Sequence, residues 1–199
     1  MKKGFFVLMS AVLCFISACS SAQSTSAKKI LIVYLSRTNN ARAIANIIHE
    51  QVGGKLVALE LENPYPENYQ AIVQQVAKEN ETGYLPQLKT KIDSIDQYDV
   101  VFVGFPTWGM KLPPPVKGFL KQYNLRGKTI VPFNTNAGYG IGSTFETVKE
   151  LCPNSKVSDG FTTKGGIERD GIYFVMQGER EKQVREEIKE WLQKIKVQR

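Results

Sequence analysis

Two apolar runs limit the fold more than any other feature of this chain. KILIVYL (Lys29–Leu35) and DVVFVGFP (Asp99–Pro106) carry apolar residues at successive positions instead of alternating with polar ones. A strand of that kind needs cover on both faces, which is the condition of a buried parallel sheet. KLVALEL (Lys55–Leu61), KTIVPFNT (Lys128–Thr135) and KVSDGFTT (Lys156–Thr163) read as three further strands. Pro132 sits awkwardly in the fourth, because it has no N–H to give to a ladder.

Between these runs the apolar spacing changes to three and four residues, the helical period. Ala41, Ile44, Ile47, Ile48 and Val52 mark a first helix, stopped by Gly53 and Gly54. Tyr69, Ile72, Val73 and Val76 mark a second. Pro113–Pro115 lead into a short helix through Phe119 and Leu120, since proline suits a first helical turn. Ser143 and Glu146 have capping-box spacing ahead of Val148 and Leu151. Val184, Ile188, Leu192 and Ile195 share one face of a last helix. Five strands separated by helices imply an α/β, doubly wound, five-stranded parallel sheet with helices on both faces. GGIERDGIYFVMQG (165–178) fits neither period.

The beginning of the chain reads differently. Lys2 and Lys3 precede FFVLMSAVLCFI (Phe5–Ile16), which is short for a membrane span and suited to a signal-peptide core. ISAC (Ile16–Cys19) resembles a bacterial lipobox, with Cys19 as the lipidated residue; an ordinary cleaved signal peptide is the alternative. The expected organisation is a signal peptide over 1–18, a flexible Ser/Ala-rich tether over 19–28 and a single domain over 29–199. The protein is then expected to be exported and anchored on the outer or periplasmic face of a bacterial membrane. Cys14 would leave with the leader, and Cys152 reads as a small buried thiol.

The net charge of +7 over 199 residues falls to about +5 without Lys2 and Lys3. The charges are scattered, with no arginine-rich arm, so nucleic-acid binding is not expected. No His/Cys cluster suggests a metal site. The single histidine, His49, falls on the first helix.

In an open parallel sheet, ligands bind beyond the carboxyl ends of the strands. Three loops fall there. SRTNNA, Ser36 to Ala41, joins the first strand to the first helix. It offers the hydroxyls of Ser36 and Thr38, the charge of Arg37, the amides of Asn39 and Asn40, and the unpaired N–H groups of a helix start, which attract anions. The same residue types also serve as plain helix caps. PTWGMKLP (Pro106–Pro113) places Thr107, Trp108 and Gly109 at the end of the third strand. Trp108 is either a core residue or a stacking surface. NTNAGYGIGS (Asn134–Ser143) brings Thr135, Asn136, Ala137, Gly138, Tyr139 and Gly140 to the end of the fourth. Glycines at 138, 140 and 142 permit close backbone approach, or else a floppy turn. Together the three loops describe a pocket for a planar, phosphorylated heteroaromatic.

VGFPTWGMKLPPPVKGFL followed by GKTIVPFNTNAGYGIGS resembles the flavodoxin family, and the resemblance spans about 29–197. It implies strand order 2-1-3-4-5 and FMN as the cofactor. It also implies a phosphate loop of the form S-x-T-G-N-T, which Ser36, Thr38 and Asn40 match. Asn39 replaces a glycine, the mildest change if that position needs a left-handed backbone. Ala41 replaces a threonine. Losing a hydroxyl donor to a charged oxygen costs about 1.5–3 kcal/mol, or one to two orders of magnitude in affinity. Trp108 and Tyr139 match the residues that flank the flavin ring. Thr107 to Gly109 would border its N5 edge, with Pro106 also in the site and Gly109 as the place for a peptide flip. N–H groups from Ala137 to Gly140 would border the pyrimidine edge, with Thr135 and Asn136 also in the site.

Joined to the lipobox reading, the family resemblance implies a membrane-tethered electron carrier that exchanges electrons with redox proteins or quinones. An FMN-dependent NAD(P)H or quinone oxidoreductase is a second expectation. A flavodoxin-fold module without flavin is a third.

Overall fold

A computed structural model describes residues 28–197. The expected leader, Cys19 and most of the tether lie outside the described residues. Among those described, no helix is long and apolar enough to cross a membrane.

The elements alternate as the periodicities require. The first half contains β1 (Ile30–Tyr34), α1 (Asn40–Val52), β2 (Lys55–Ala58), α2 (Tyr69–Thr82) and β3 (Val100–Pro106). The second contains α3 (Pro114–Gln122), β4 (Thr129–Asn136), α4 (Thr144–Leu151), β5 (Lys156–Val157), β6 (Phe161–Lys164) and α5 (Gly178–Ile195). All strands pair in parallel in the order β2-β1-β3-β4-β5, and β6 also pairs with β4.

Strand periodicity divides the sheet residues between two cores. Leu31, Val33, Val101, Val103 and Phe105 face α3 and α4, where they meet Val116, Phe119, Leu120 and Val148. Ile30, Ile32, Val100, Phe102, Val131 and Phe133 face α1 and α5, where they meet Ile44, Ile48, Val184 and Ile188. Phe133 lies directly opposite Gly104 in the β3–β4 register. Its ring covers that glycine so closely that a Cβ there would fall 2.0 Å from the ring.

The second strand is shorter than expected. It ends at Ala58, and Leu61 makes an isolated antiparallel bridge to Leu88. The fifth strand is two pieces, so the sheet has six strands where five were expected. Thr129 faces Lys156 whereas Phe133 faces Phe161, so the edge carries one extra residue, as in a β-bulge. Pro132 explains the break. Ile130 O accepts from Ser158 N and Asn136 O accepts from Gly165 N. The even-numbered residues of β4 therefore direct their backbone groups toward β5 and β6. The N–H that Pro132 lacks would have pointed into the gap at 158–160. An interior proline is tolerated because its partner strand is interrupted there.

Ser143 does not cap α4 with its side chain. Its hydroxyl and N–H instead lie 3.4 and 3.0 Å from Met110 O. Glu146 pairs with Lys149 on the helix surface.

Cys152 follows α4 and is buried, and burial pushes its thiol up to about 11. A thiolate is the reactive form, so a raised pKa slows attack. Alkylation of Cys152 by iodoacetamide at pH 8 is expected to be at least ten times slower in the native protein than in denaturant. Mass spectrometry of the tryptic peptide checks this, and equal rates in the two states would contradict the buried placement.

α2 is set apart. Asn68 Oδ1 caps it by accepting from Ala71 N at 3.0 Å, and Gly83 ends it in a left-handed conformation. It packs on α3 and makes only sparse contact with the strands. Ile72 and Val76 are buried yet belong to neither core.

Candidate functional site

A large cavity, about 1030 Å³, opens at the carboxyl ends of β1, β3 and β4. This is at the upper end of the ~300–1,000 Å³ usual for ligand sites.

The first wall is the loop between β1 and α1. Asn39 adopts a left-handed conformation, φ 62°, as a glycine stand-in must. Its C=O accepts from Ala43 N, and Ser36 Oγ accepts from Arg42 N at 3.2 Å. The N–H groups from Arg37 to Ala41 have no protein acceptor among the described residues. They form a run of free donors at a helix start, the geometry that holds anions. Thr38 Oγ1 accepts from Asn40 Nδ2 at 2.8 Å. Accepting leaves the hydroxyl protons of both Ser36 and Thr38 able to donate.

Asn40 differs from its expected role. It is 2% exposed, and Nδ2 also donates to Tyr173 O at 2.6 Å while Oδ1 accepts from Val175 N at 3.0 Å. Its amide latches the loop to residues 173–175, leaving only its N–H for a ligand. Arg37 is likewise committed. Nε meets Glu168 Oε1 at 2.5 Å, and the terminal nitrogens donate to Pro66 O and Glu67 O.

The second wall is a tight turn. Trp108 and Lys111 exchange two backbone hydrogen bonds, with Gly109 at φ 55° and Met110 at φ 60° between them. Two left-handed central residues define a type I′ turn. Methionine there costs about 1–2 kcal/mol, and the bond from Ser143 N to Met110 O holds it in place. A Cβ on Gly142 would come within 2.1 Å of that same oxygen. The second and third loops are therefore one mechanical unit.

Trp108 meets Tyr65 edge-on, with centroids 5.4 Å apart at 85°. Tyr65 OH donates to Glu79 Oε2 at 2.5 Å, and Gln75 Nε2 donates to the same carboxylate. Burial and the Glu79 charge push the Tyr65 hydroxyl far above the usual phenol range. The indole is thus braced from behind and lines the cavity in front.

The third wall is fixed by Asn136, whose Oδ1 accepts from Gly138 N at 2.8 Å and Gly140 N at 3.2 Å. Those two N–H groups are spent, so only Ala137 and Tyr139 keep free ones in this stretch. Buried Asn134 donates to Phe105 O and Thr107 Oγ1, which ties the third loop to the second. Tyr139 is 66% exposed, and Arg169 Nη2 donates to its hydroxyl at 3.3 Å.

Ser36, Arg37, Thr38, Asn40 and Ala41 line the cavity with Pro106 to Gly109, Thr135 to Ala137, Tyr139 and Gly140. Asn39 and Gly138 do not: the first shapes the turn, and the second packs toward Lys164. Two walls escaped the sequence reading. One is the strap after β6, Gly165 to Arg169, a 3₁₀ turn closed by the bridge between Ile167 and Ile172. Its only local signals are the Gly-Gly pair and the charged run Glu168-Arg169-Asp170. The other is α2, whose apolar spacing suits a core as well as a cavity.

A ligand cavity at the switch point of an open parallel sheet defines a doubly wound, nucleotide-binding type of protein. The chain belongs to the flavodoxin family: the family model described as Flavodoxin matches residues 29–178. No curated protein matches the chain. Among solved structures it is similar to a protein from Bacteroides eggerthii provisionally described as a flavoprotein. That match has 27% identity and a TM-score of 0.70, and covers 86% of this chain and 99% of the other. A Lactobacillus acidophilus flavoprotein crystallised in complex with FMN shares the fold at 22% identity. Its TM-score is 0.61, covering 73% of this chain and 99% of the other.

Proposed function

We propose that the protein binds FMN and serves as an electron carrier held at a membrane by lipid on Cys19. The observation that carries the FMN reading is the unpartnered N–H run from Arg37 to Ala41, set beside a cavity walled by Trp108. Ser36 and Thr38 would donate their hydroxyl protons to the phosphate. Free N–H groups at Ala137 and Tyr139 would meet the ring's carbonyl edge. FMN when bound supplies the electron chemistry, and this chain binds, orients and shields it. Membership of the flavodoxin family and the FMN held by the Lactobacillus acidophilus protein support the choice of cofactor. The cavity lining contains neither histidine nor cysteine, and His49 sits at the far end of α1 against Gly54 O.

FMN fluorescence tests the reading. Saturable quenching on titration with the protein is expected, with a Kd in the micromolar range because Ala41 withholds one hydroxyl. Riboflavin, without the phosphate, should bind at least ~100-fold more weakly if the N–H run grips a dianion. Unchanged FMN fluorescence at high micromolar protein would refute FMN binding.

A further inference from the structure

The edge of the sheet opposite the cavity carries a row of cations. Lys29 and Lys128 stand immediately before β1 and β4, and Lys55 and Lys156 are the first residues of β2 and β5. Only β3, of the five strands in the main order, is entered from an acid, Asp99. The parallel register sets Lys29, Asp99 and Lys128 side by side, one position ahead of Ile30, Val100 and Thr129. Neighbouring strands lie about 4.8 Å apart, so five of them spread the row over about 19 Å. Lys28 and Arg126 join Lys128 around a hollow of about 330 Å³ on this edge, which Asp96 and Asp99 also line.

These six cations meet two carboxylates, an excess of four, where the chain without Lys2 and Lys3 has an excess of five. The rest of the chain is therefore almost neutral. Other charges near this edge nearly cancel: Asp93 and Glu150 offset Lys121 and Lys196, while Lys149 and Lys194 have Glu146 and Asp159 within ion-pair distance. None of the six has a carboxylate that close among the described residues. Asp99 Oδ2 accepts instead from the Lys29 N–H at 2.8 Å. Lys128 is 7% exposed, and its Nζ donates to Asp96 O at 3.1 Å and Tyr98 O at 2.6 Å. An ammonium has three donors, so one N–H remains for a ligand in the hollow. The two carbonyls solvate the charge without cancelling it.

We propose that this amino-terminal edge docks on an anionic phospholipid surface, with a lipid phosphate in the hollow beside Lys28, Arg126 and Lys128. The row lies along one edge, so its cations come within a Debye length of a bilayer together. Each lysine or arginine near such a surface is worth about fivefold in binding. Lys28, where the chain arrives from Cys19, itself lines the hollow. Lipid on Cys19 would therefore deliver this edge to the head groups. The purpose of the face rests on that anchor reading, but its charge does not.

Co-sedimentation with vesicles tests the face, using the full chain with Cys19→Ser so that no acyl chain contributes. Phosphatidylcholine vesicles are compared with vesicles holding about 30% phosphatidylglycerol. The leader run Phe5–Ile16, Lys2 and Lys3 are common to every variant, so differences between variants read the edge. Arg126→Gln with Lys156→Gln, both at exposed positions, should lose at least ~10-fold of the preference for anionic vesicles. Lys89→Gln with Lys182→Gln removes the same charge from surface pairs elsewhere and should change the preference less than about twofold. Lys128→Met keeps the aliphatic stem and should lose about fivefold by itself, although only a group entering the hollow can reach that ammonium. The face is refuted if the parent binds both vesicles alike, if both pairs weaken it equally, or if duplex DNA binds more tightly per phosphate than the vesicles. An unaffected Lys128→Met would remove the phosphate from the hollow. Mass spectrometry of the mature protein reads lipid on Cys19 separately, so a bare Cys19 would defeat the anchor and leave the vesicles to decide the face.

Discussion

An Asn40→Asp chain is expected to lose FMN affinity by two orders of magnitude or more while keeping its fold. Asn40 Nδ2 donates to Thr38 Oγ1 and Tyr173 O, and Oδ1 accepts from Val175 N. Aspartate keeps the bond from Val175 but loses both donors. Its carboxylate then faces Tyr173 O unpaired, and it recruits the Thr38 hydroxyl proton that the phosphate would use. It also puts a negative charge beside the N–H run. At an effective dielectric near 20, like charges about 5 Å apart repel by roughly 3 kcal/mol. Each 1.4 kcal/mol is tenfold in affinity. The FMN titration reads the loss, and riboflavin separates its causes. A charge effect spares riboflavin, whereas equal losses for both ligands would show that Asn40 only shapes the loop.

The largest stability effect is expected at Gly104. A Cβ there would stand 2.0 Å from Cζ and 2.1 Å from Cε2 of Phe133, which is itself fully buried. Alanine in place of glycine normally gains about 0.4–1 kcal/mol by restricting the unfolded chain. Here the ring has nowhere to go, and overpacking of this kind costs about 1–3 kcal/mol or more. The steric cost wins, so Gly104→Ala should lose about 3 kcal/mol. That is a fall in Tm of about 6–12 °C for a domain of this size. Phe133→Leu should destabilise alone by leaving a void, yet recover part of the loss when combined with Gly104→Ala. Strictly additive losses in the double variant would mean that the two positions do not collide.

The architecture was legible because its signals are local. The runs of β1 and β3 each reflect one segment covered on both faces, and the spacing of α1 and α5 each reflects one segment meeting one core. Asn39 was legible as well, since few residues other than glycine accept φ 62°. What the sequence did not disclose depends on distant partners. Asn40 reads as a ligand group until Tyr173 and Val175, more than 130 positions away, claim its amide. Ser143 reads as a helix cap until Met110 O claims it. Arg37 reads as a free cation until Glu168 neutralises it. The stripe on α2 has the same period whether it meets a core or a cavity, and periodicity cannot tell the two apart.

The described chain begins at the amino-terminal edge of the sheet, beside Ile30, whereas the cavity opens at the carboxyl edge. Strands of five to eight residues separate the two edges by roughly 17–26 Å. Ten residues, the length of the tether proposed over 19–28, span at most about 33–36 Å. Turning the mouth toward a lipid surface would consume most of that reach. If lipid on Cys19 is the anchor, as proposed, the mouth would face outward like a lamp on a short post, suited to reactants dissolved in the surrounding water and poorly suited to long-tailed molecules dissolved in the bilayer.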